Sequence, residues 1–284
     1  MAARAVLENR SLKWSRPSAF NDIFDAQIDF DLNMDGDHIV EEALRRTWEI
    51  VQHPEGFEPG NALGLLLQFS APRLREIGQA AYRAEFEPTL RQSVNDVKLK
   101  ERFKADICEL LSRQKILCFS DDPVSRPLWG HYGESFQGAA LEFRTVPELD
   151  SPYKVARPVL YVPEAPRLVT ELDLVAVLCG ESQLQGLNAI DRFVFLKHHD
   201  WAWEKEWRLV SGEGHKPDDE VEFAHFSEKE LASVLIGPRA SAEFREAINA
   251  VVGERYPFTT VEVVTQGKNF ALERKVIRTA QHEI

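Results

Sequence analysis

The feature that most constrains the fold is a change in the spacing of apolar residues near Gln114. Before this point apolar residues recur every three or four positions, as in residues 40–51, where positions 40, 44, 48 and 51 share one helical face. After it the apolar runs are short and bounded by turn residues, which is typical of strands. The sequence therefore predicts an α+β fold, with a helical N-terminal part and a mixed, mostly antiparallel sheet in the C-terminal half.

The two patterns locate individual elements. Strands are predicted at residues 116–120, 139–144, 158–162, 206–211, 233–237 and 259–264, after a short strand near the N-terminus. Helices are predicted within 40–51, within 72–115 on both sides of Pro88, at 181–196 and at 241–251, where Ser241 is a suitable N-cap. The acidic run at 217–222 is interpreted as a solvated loop.

Domain organisation follows from the lack of a low-complexity linker or an internal repeat in the sequence. We predict a single domain over residues 1–284. Its helical subdomain would span about residues 38–115, and its strand-rich core about residues 116–280.

The charge balance argues against a chain that coats polyanions. The sequence has 34 Lys and Arg against 46 Asp and Glu, a net charge of −12, whereas neutralising phosphates needs net or clustered positive charge. A local exception is a basic stretch formed by Arg91, Lys98, Lys100, Arg102, Lys104, Arg113 and Lys115. We therefore expect a small-molecule or protein substrate, and nucleic acid is the less favoured partner.

The compartment is predicted from what the sequence lacks. Residues 1–17 contain no apolar core of a secretory signal, and no stretch approaches the roughly 20 apolar residues that span a bilayer. Cys108, Cys118 and Cys179 include no CxxC pair, which fits reduced thiols buried as small apolar residues. We expect a cytoplasmic protein without a membrane partner, and the oligomeric state stays open.

A first candidate cluster lies in residues 118–143. Trp129, His131 and Tyr132 fall within four positions of one strand-to-strand connection, and Glu142 lies on the strand that follows. Such a connection combines an aromatic wall with a group that titrates near neutral pH. Packing explains the same residues in another way, with Trp129 and Tyr132 as core anchors and His131 as a hydrogen-bonded structural histidine.

A second candidate cluster lies in residues 197–210, which include Trp201 and two further tryptophans. If 203–210 is a strand, alternation places Glu204, Glu206 and Arg208 on one face. Two carboxylates at this spacing repel each other unless a cation or a substrate lies between them, and Arg208 is the local partner for Glu206. The alternative is a structural ion pair on a partly exposed sheet.

Other chemistries have weaker signals. His198, His199 and Asp200 are consecutive, and consecutive residues do not converge on one ion as readily as the i, i+4 histidines of HExxH, so no metal site is predicted. No phosphate-binding glycine motif and no GxSxG nucleophile elbow occur in the sequence.

Taken in order, several segments resemble the bacterial family called domain of unknown function 2971. The matching segments are SLKWSRPSAFNDIFD (11–25), CFS (118–120), LWGHYGESFQGAALEF (128–143), PVLYV (158–162), KHHDWAWEKEWRLV (197–210) and LIGPRASAEFREAI (235–248). The sequence departs from the family at the N-terminus, where a Tyr-rich strand is reduced to VLENRSLKW.

The family's name records no activity, so the resemblance implies only that the two clusters recur together. We therefore predict that they form one site, built at strand ends and loops. The predicted cleft is lined by Trp129, His131, Tyr132, Glu142, Trp201, Glu204, Glu206 and Arg208.

The first functional hypothesis is an enzyme of the ADP-ribosyltransferase or NAD glycohydrolase type. Glu204-x-Glu206 resembles the ExE element of arginine-modifying transferases, and a carboxylate would stabilise the cation-like ribose of the transition state. In this hypothesis Glu206, Glu204 and His131 are catalytic. The ligand-binding residues are Trp129, Tyr132, Glu142, Trp201 and Arg208. NAD is the expected substrate, and no cofactor is predicted with certainty.

The second hypothesis is a nucleic-acid-binding or protein-interaction module of a bacterial phage-defence system. It rests on the tryptophan-rich segment and on the basic stretch, because base stacking beside cations is how single strands are held. The same cations would also suit the solvated face of an amphipathic helix. A carboxylate-pair hydrolase that uses Glu142 is a third and weaker hypothesis.

Overall fold

The computed structural model describes residues 2–26, 34–164, 167, 169–182 and 193–281, with side chains throughout these ranges except at 97–100 and 103. The first elements in chain order are α1 (Ala2–Asn9), β1 (Ser11–Ser15), α2 (Gly36–Gln52), α3 (Ala62–Ile77), α4 (Gln79–Asn95), α5 (Val97–Ser112), β2 (Ile116–Ser120) and α6 (Arg126–His131).

The second half of the chain carries most of the strands. Its elements are β3 (Ala139–Phe143), β4 (Arg157–Pro158), β5 (Leu160–Val162), α7 (Glu171–Leu178), β6 (Leu196–His198), β7 (Glu206–Val210), β8 (Val221–His225), β9 (Leu231–Ile236), α8 (Ala242–Arg255), β10 (Thr260–Gln266) and β11 (Leu272–Arg278). A 3-10 helix, His199–Glu204, joins β6 to β7.

The strands confirm the predicted α+β class with mostly antiparallel pairing. A five-stranded sheet has the order β4-β7-β2-β1-β8, and each of its neighbouring pairs is antiparallel. A four-stranded sheet has the order β11-β10-β9-β3, in which β9 and β10 are parallel. A short parallel pair joins β5 and β6.

The chain divides into two compact units whose boundaries differ from the sequence estimate. The helical unit comprises residues 27–111 and 165–194, and the strand unit comprises Met1–Ala26, Ser112–Glu164 and Phe195–Ile284. Residues 165–194 were predicted within the strand-rich core. They belong to the helical unit because Val175 and Cys179 of its α7 segment are buried in the apolar core of that unit. The prediction of a single domain stays a prediction.

The helical unit is organised around α2. Asp35 caps this helix, because its carboxylate accepts hydrogen bonds from the Asp37 and His38 amides at 3.1 Å each. Glycines bring α3 against the turn after α7, since a Cβ on Gly64 would lie 2.3 Å from the Gly180 carbonyl oxygen. The predicted interruption at Pro88 is wrong, because Pro88 lies inside α4 and the chain breaks at Gly78 instead.

The strand unit packs α8 onto the four-stranded sheet. Ile248 and Val252 of α8 are buried with Val234 and Val261 in an apolar core. The Tyr256 hydroxyl donates to the Leu7 carbonyl at 2.6 Å, which attaches α1 to the same core. As predicted, the Ser241 hydroxyl accepts a hydrogen bond from the third helical residue of α8.

Several elements of the structure were not predicted from the sequence patterns. Helices α1 and α7 and strands β8 and β11 were not predicted. Strand β8 begins within the acidic run that was interpreted as a loop, because it pairs with β1 over five residue pairs. The helix predicted at 181–196 lies largely outside the described residues, and its last residue opens β6 instead.

The cysteines also differ from the prediction. Only Cys179 is buried, while Cys108 and Cys118 are exposed. Among the described residues, no helix is both long enough and apolar enough to cross a membrane.

Candidate functional site

The two candidate clusters are in contact within the strand unit. The Tyr132 hydroxyl, directly after α6, donates a hydrogen bond to Glu204 Oε1 at 2.6 Å. The His131 ring stacks on Trp203, with ring centroids 5.3 Å apart. The segments around residues 129–132 and 197–208 therefore form one continuous surface.

Local structure explains how α6 presents these side chains. The Ser125 hydroxyl accepts from the Leu128 amide and caps the helix. The chain then turns back closely, since a Cβ on Gly133 would lie 2.7 Å from the Trp129 ring. The next turn holds Glu134, Ser135 and Phe136 at φ of 50°, 55° and 72°. Left-handed backbone costs such residues about 1–2 kcal/mol each, so strain accumulates beside the site.

Strand β7 agrees with the strand predicted at 206–211, but the condition that the strand already begins at 203 is not met. Residues 199–204 form a 3-10 helix, Lys205 has a left-handed backbone with φ of 45°, and β7 begins only at Glu206. Strand alternation therefore relates Glu206 to Arg208 but does not include Glu204. Glu204 approaches Glu206 for another reason, which is a shared partner, Lys197.

Five buried charged side chains form what we call the buried charge network: Asp25, Lys197, Glu204, Glu206 and Arg208. Lys197 Nζ lies 2.6 Å from Glu204 Oε2, 3.0 Å from Glu206 Oε2 and 3.2 Å from Asp25 Oδ2. Arg208 donates from Nε to Glu206 Oε1 at 2.7 Å and from Nη2 to Asp25 Oδ2 at 2.6 Å. Lys197 of the chain itself thus lies between the two glutamates, where their spacing required either a cation or a substrate.

The network fixes the charges of Glu206 and Lys197. Burial opposes ionisation of Glu206, but the Arg208 hydrogen bond and the charges of Arg208 and Lys197 outweigh it and lower the pKa of Glu206 to about 2. Burial likewise opposes the charge of Lys197, and Glu206 and Asp25 together with Glu204 raise its pKa. Lys197 is therefore a permanent ammonium group at neutral pH and is unsuited to act as a nucleophile.

The buried charge network is not electrically balanced. By formal charge, its three carboxylates face two cations, which leaves one excess negative charge. Asp25 Oδ1 is buried, and no donor among the described residues reaches it. The Tyr132 hydroxyl partly compensates by donating to Glu204, and burial and this carboxylate raise the pKa of Tyr132. An excess negative charge favours a positively charged or hydrogen-bond-donating group nearby.

Beside the network lies an open cavity of about 520 Å³, here called the aromatic cleft. Its lining includes Phe119, Asp121, Asp122, Trp129, Tyr132, Glu142, Phe143, Tyr153 and Trp207. The charged side chains of this lining are all carboxylates, and no Lys or Arg of the described residues lines the cleft. The cleft therefore suits planar rings and positively charged groups better than phosphates.

The predicted cleft and the aromatic cleft share Trp129, Tyr132 and Glu142. The other predicted lining residues lie outside it: His131, Trp201, Glu204, Glu206 and Arg208. For Glu206 and Arg208 the reason is strand alternation, because the cleft residue Trp207 lies between them on β7 and points to the opposite face. Tyr132 belongs both to the cleft and to the hydrogen-bonded shell of the network.

The residues shared by both sets have different roles. Trp129 is largely a core anchor, buried against Leu235 and Val264, with its ring nitrogen donating to the Pro123 carbonyl at 2.9 Å. Glu142 accepts from Arg274 Nη2 at 2.6 Å, and this hydrogen bond lowers the pKa of Glu142 despite burial. Glu142 is therefore an ionised carboxylate at the cleft wall.

His131 and Trp201 act at the edge of the site. His131 is exposed, and its ring contacts those of Trp203 and Tyr132. Trp201 is half-buried and covers Lys197, whose ammonium lies 5.1 Å from the centroid of the indole ring. Neither side chain reaches the carboxylates in the way that the sequence hypothesis requires.

No metal site was predicted at His198, His199 and Asp200, and this stays a prediction, although the three side chains lie close together. His198, His199 and Asp200 bring one potential ligand atom each to within 4.8 Å of one another. The turn into the 3-10 helix brings the three consecutive side chains together. The trio is exposed and lies next to Lys197 in the sequence.

Sequence reasoning missed two members of the network, Asp25 and Lys197. Asp25 lies in the SLKWSRPSAFNDIFD segment and Lys197 opens the KHHDWAWEKEWRLV segment, so both fall within segments that carry the family resemblance. Their burial was not visible, because a lone Asp or Lys in a sequence is normally solvated.

Comparisons of the chain with protein-family models, with curated proteins and with solved structures find no match. Membership of the domain of unknown function 2971 family accordingly stays a prediction.

Proposed function

We propose that this protein is an enzyme that cleaves NAD, either transferring ADP-ribose to an acceptor or hydrolysing the nicotinamide bond. The observation that carries the proposal is the contact between Tyr132 and Glu204, which joins a buried network with excess negative charge to an aromatic cleft. Both parts are chemically suited to a reaction in which positive charge develops on a sugar beside a planar leaving group. Because carboxylates line the cleft, the proposal places only the nicotinamide and its ribose there and the pyrophosphate of NAD outside it.

The chemistry is balanced without an external redox partner. The bond between ribose C1′ and the nicotinamide nitrogen breaks, its electron pair leaves with neutral nicotinamide, and the ribose becomes cation-like. A nucleophile from an acceptor or from water then forms the new bond at C1′ and loses its proton to a base. Carboxylates held near this centre stabilise the transition state more than the ground state.

The contacts suggest roles that differ from the sequence hypothesis. Tyr132 and Glu142 line the cleft, so we propose that they contact the ligand, with Glu142 as the base for the acceptor. Glu204 would orient the Tyr132 hydroxyl. Glu206 is 5% exposed and bonded to Arg208 and Lys197, which favours a positioning role over a direct ribose contact.

The test is nicotinamide release and transfer of label from NAD. Purified protein is incubated with NAD labelled in the adenosine part, with and without cell lysate, and both products are quantified. Wild type should release nicotinamide, and Tyr132→Phe and Glu142→Gln should lower the rate about 10²-fold or more, the scale of one acid-base or electrostatic contact. Glu148→Gln, an exposed carboxylate outside the cleft lining, is the matched control and should keep the wild-type rate. Absence of both products with wild-type protein would refute the proposal.

The nucleic-acid alternative has weaker support from the described cations. Arg91 is paired with Glu87 at 2.8 Å and with Asp37, and Arg113 is paired with Glu213 at 3.3 Å. Lys115 is buried and bonded to a backbone carbonyl. The side chains of Lys98 and Lys100 lie outside the described residues.

One observation favours the protein-interaction alternative. Leu65, Leu66 and Phe69 of α3 are exposed and lie on neighbouring positions of one helix face. The same purified protein can be tested for both alternatives, by binding to single-stranded RNA and DNA at rising salt and by binding of proteins to wild type against Phe69→Lys. Phosphate-dominated binding must weaken as salt rises.

A further inference from the structure

We propose that His198, His199 and Asp200 bind one divalent transition-metal ion of the zinc class. The trio lies at the start of the 3-10 helix His199–Glu204 and outside the aromatic cleft lining, so the inference does not depend on the proposed NAD chemistry. It is called the metal trio below.

The spacing of the ligand atoms carries the inference. His198 Nδ1 lies 3.2 Å from Asp200 Oδ2, and His199 Nε2 lies 3.4 Å from Asp200 Oδ1. Zinc binds imidazole nitrogen and carboxylate oxygen at about 2.0–2.2 Å, so ligand atoms around a tetrahedral ion are separated by roughly 3.3–3.5 Å. Each nitrogen already lies at this distance from a different oxygen of the Asp200 carboxylate, and one ligand atom from each of the three residues lies within 4.8 Å of the others.

The backbone of the metal trio is held on both sides. Before it, Lys197 is buried by its three carboxylate contacts, and after it, Glu204 is buried at the end of the same 3-10 helix. Trp201 packs over the Lys197 ammonium. Ligands on an anchored turn lose less conformational entropy on binding than ligands on a free loop.

One hydrogen bond competes with the metal for a ligand atom. The Asp200 amide donates to His198 Nδ1 at 3.4 Å, so the lone pair of the neutral ring lies on this nitrogen and already accepts a hydrogen bond. Because each ring nitrogen has a single lone pair, a metal ion bound at Nδ1 must displace this long hydrogen bond.

The donor set selects the kind of metal. Two imidazoles and one carboxylate suit zinc, nickel or copper, whereas calcium and magnesium prefer sites made entirely of oxygen. Three protein ligands leave at least one position of a tetrahedral ion to water or to another molecule. Because the trio is exposed, we expect a reversible site that is weaker than a cysteine-bound structural zinc site.

The test uses tag-free, reduced protein stripped of metal with a chelator. Cobalt(II) is titrated while the visible d–d absorption is recorded, and zinc is then added as competitor. Wild type should bind one equivalent, and zinc should displace it. The variants His199→Ala and Asp200→Asn should bind at least about 10-fold more weakly, since even outer-shell losses reach that size. His53→Ala removes an exposed histidine in the helical unit and should leave the affinity unchanged.

A second measurement needs no variant. Zinc should protect His198 and His199, but not His53, from diethyl pyrocarbonate, as read by mass spectrometry of peptides. Saturable binding is required for the proposal. No saturable cobalt binding, equal affinity in the three variants, or a thiolate-to-cobalt charge-transfer band indicating Cys108 or Cys118 as ligands would each overturn it.

Discussion

The molecule uses the same chemistry, ion pairs between carboxylates and Arg or Lys, in two very different places. In the strand unit the buried charge network contains Arg208, which is 0% exposed, and Asp25, which is 4% exposed. In the helical unit α2 and α4 carry a second set, here called the helix-surface ion pairs. They join Arg45, Arg83 and Arg91 to Asp37, Glu41, Glu42, Glu49 and Glu87.

The difference in exposure changes what each set does. Charges moved out of water lose several kcal/mol of solvation each, and only a complete set of partners offsets the loss. Removing one partner of a buried set therefore leaves a charge that nothing solvates. At the surface water replaces the lost partner, and salt screens the pair. The loss of any one member of the buried charge network should therefore destabilise the fold, whereas single helix-surface ion pairs can be lost at little cost.

The largest effect is expected for Lys197→Met. This change removes the ammonium that three carboxylates share and leaves an excess of negative charge in the interior. We expect a loss of about 3–5 kcal/mol in the free energy of unfolding, as for other buried ion pairs broken at one partner. Urea unfolding followed by tryptophan fluorescence measures it.

Lys205→Met is the matched control for that comparison. Lys205 belongs to the same segment and pairs with Asp122 at 3.0 Å, but more than half of its side chain is exposed. Its unfolding midpoint should stay within error of wild type. Equal losses for Lys197→Met and Lys205→Met would mean that burial does not distinguish the two lysines.

The second-largest effect is expected on the free energy of unfolding when the pH is lowered. Glu206 has a folded-state pKa of about 2 against an ordinary value of 4.5, so it binds protons more readily when unfolded. Its stabilisation is therefore complete above about pH 5 and is lost as the pH falls towards 2. At about 1.4 kcal/mol for each pH unit between the two values, the loss is at most about 3.5 kcal/mol.

The measurement is the free energy of unfolding from pH 7 to pH 2.5 for wild type and Glu206→Gln. The wild-type curve should fall more steeply below pH 5 than the curve of the variant. Glu148→Gln removes an exposed carboxylate and should keep the wild-type slope. Parallel curves for wild type and Glu206→Gln would contradict the assignment of this titration to the network.

An intermediate effect is expected for Tyr132→Phe. The hydroxyl donates to Glu204 Oε1 at 2.6 Å and accepts from Asn21 Nδ2 at 2.9 Å, but Tyr132 as a whole is 54% exposed. Water can solvate the freed Glu204 oxygen on that side, so we expect a stability loss of about 1 kcal/mol. A loss as large as that of Lys197→Met would show that Tyr132 belongs energetically to the buried set. Thermal and urea unfolding of the variant distinguish these outcomes.

The sequence predicted those parts of the fold that local patterns control. The runs at 116–120 and 206–211 and the capped helix after Ser241 were located within a few residues, because period and capping are local properties. Strand β8 was missed because its pairing partner, β1, lies over 200 residues away in the chain. The boundaries of the helical unit were predicted wrongly for a similar reason, because α7 belongs to this unit through tertiary packing.

For the candidate site, the sequence correctly paired Glu206 with Arg208, which are two positions apart on one strand. It placed Glu204 on the same strand, although the left-handed Lys205 ends the 3-10 helix there. The participation of Asp25 depends on a contact across 183 positions with Arg208. Spacing patterns in the sequence relate only residues that are close along the chain. A contact of this length becomes visible only in the folded structure.

The smallest effect is expected for Arg83→Gln in the helix-surface ion pairs. Arg83 bonds Glu87 at 2.8 Å and also Glu41, and these hydrogen bonds raise the pKa of Arg83. The pKa of Glu87 is lowered first by its hydrogen bond with Arg91 and then by the one with Arg83. Nearly half of the Arg83 side chain is nevertheless exposed, so water and counterions can replace the lost partner. The unfolding midpoint should change by little more than the error at low salt. At about 1 M salt, where charges are screened within about 3 Å, wild type and variant should coincide. A large difference that persists in high salt would place the helix-surface ion pairs in the same energetic class as the buried charge network, and the contrast between the two regions would then fail.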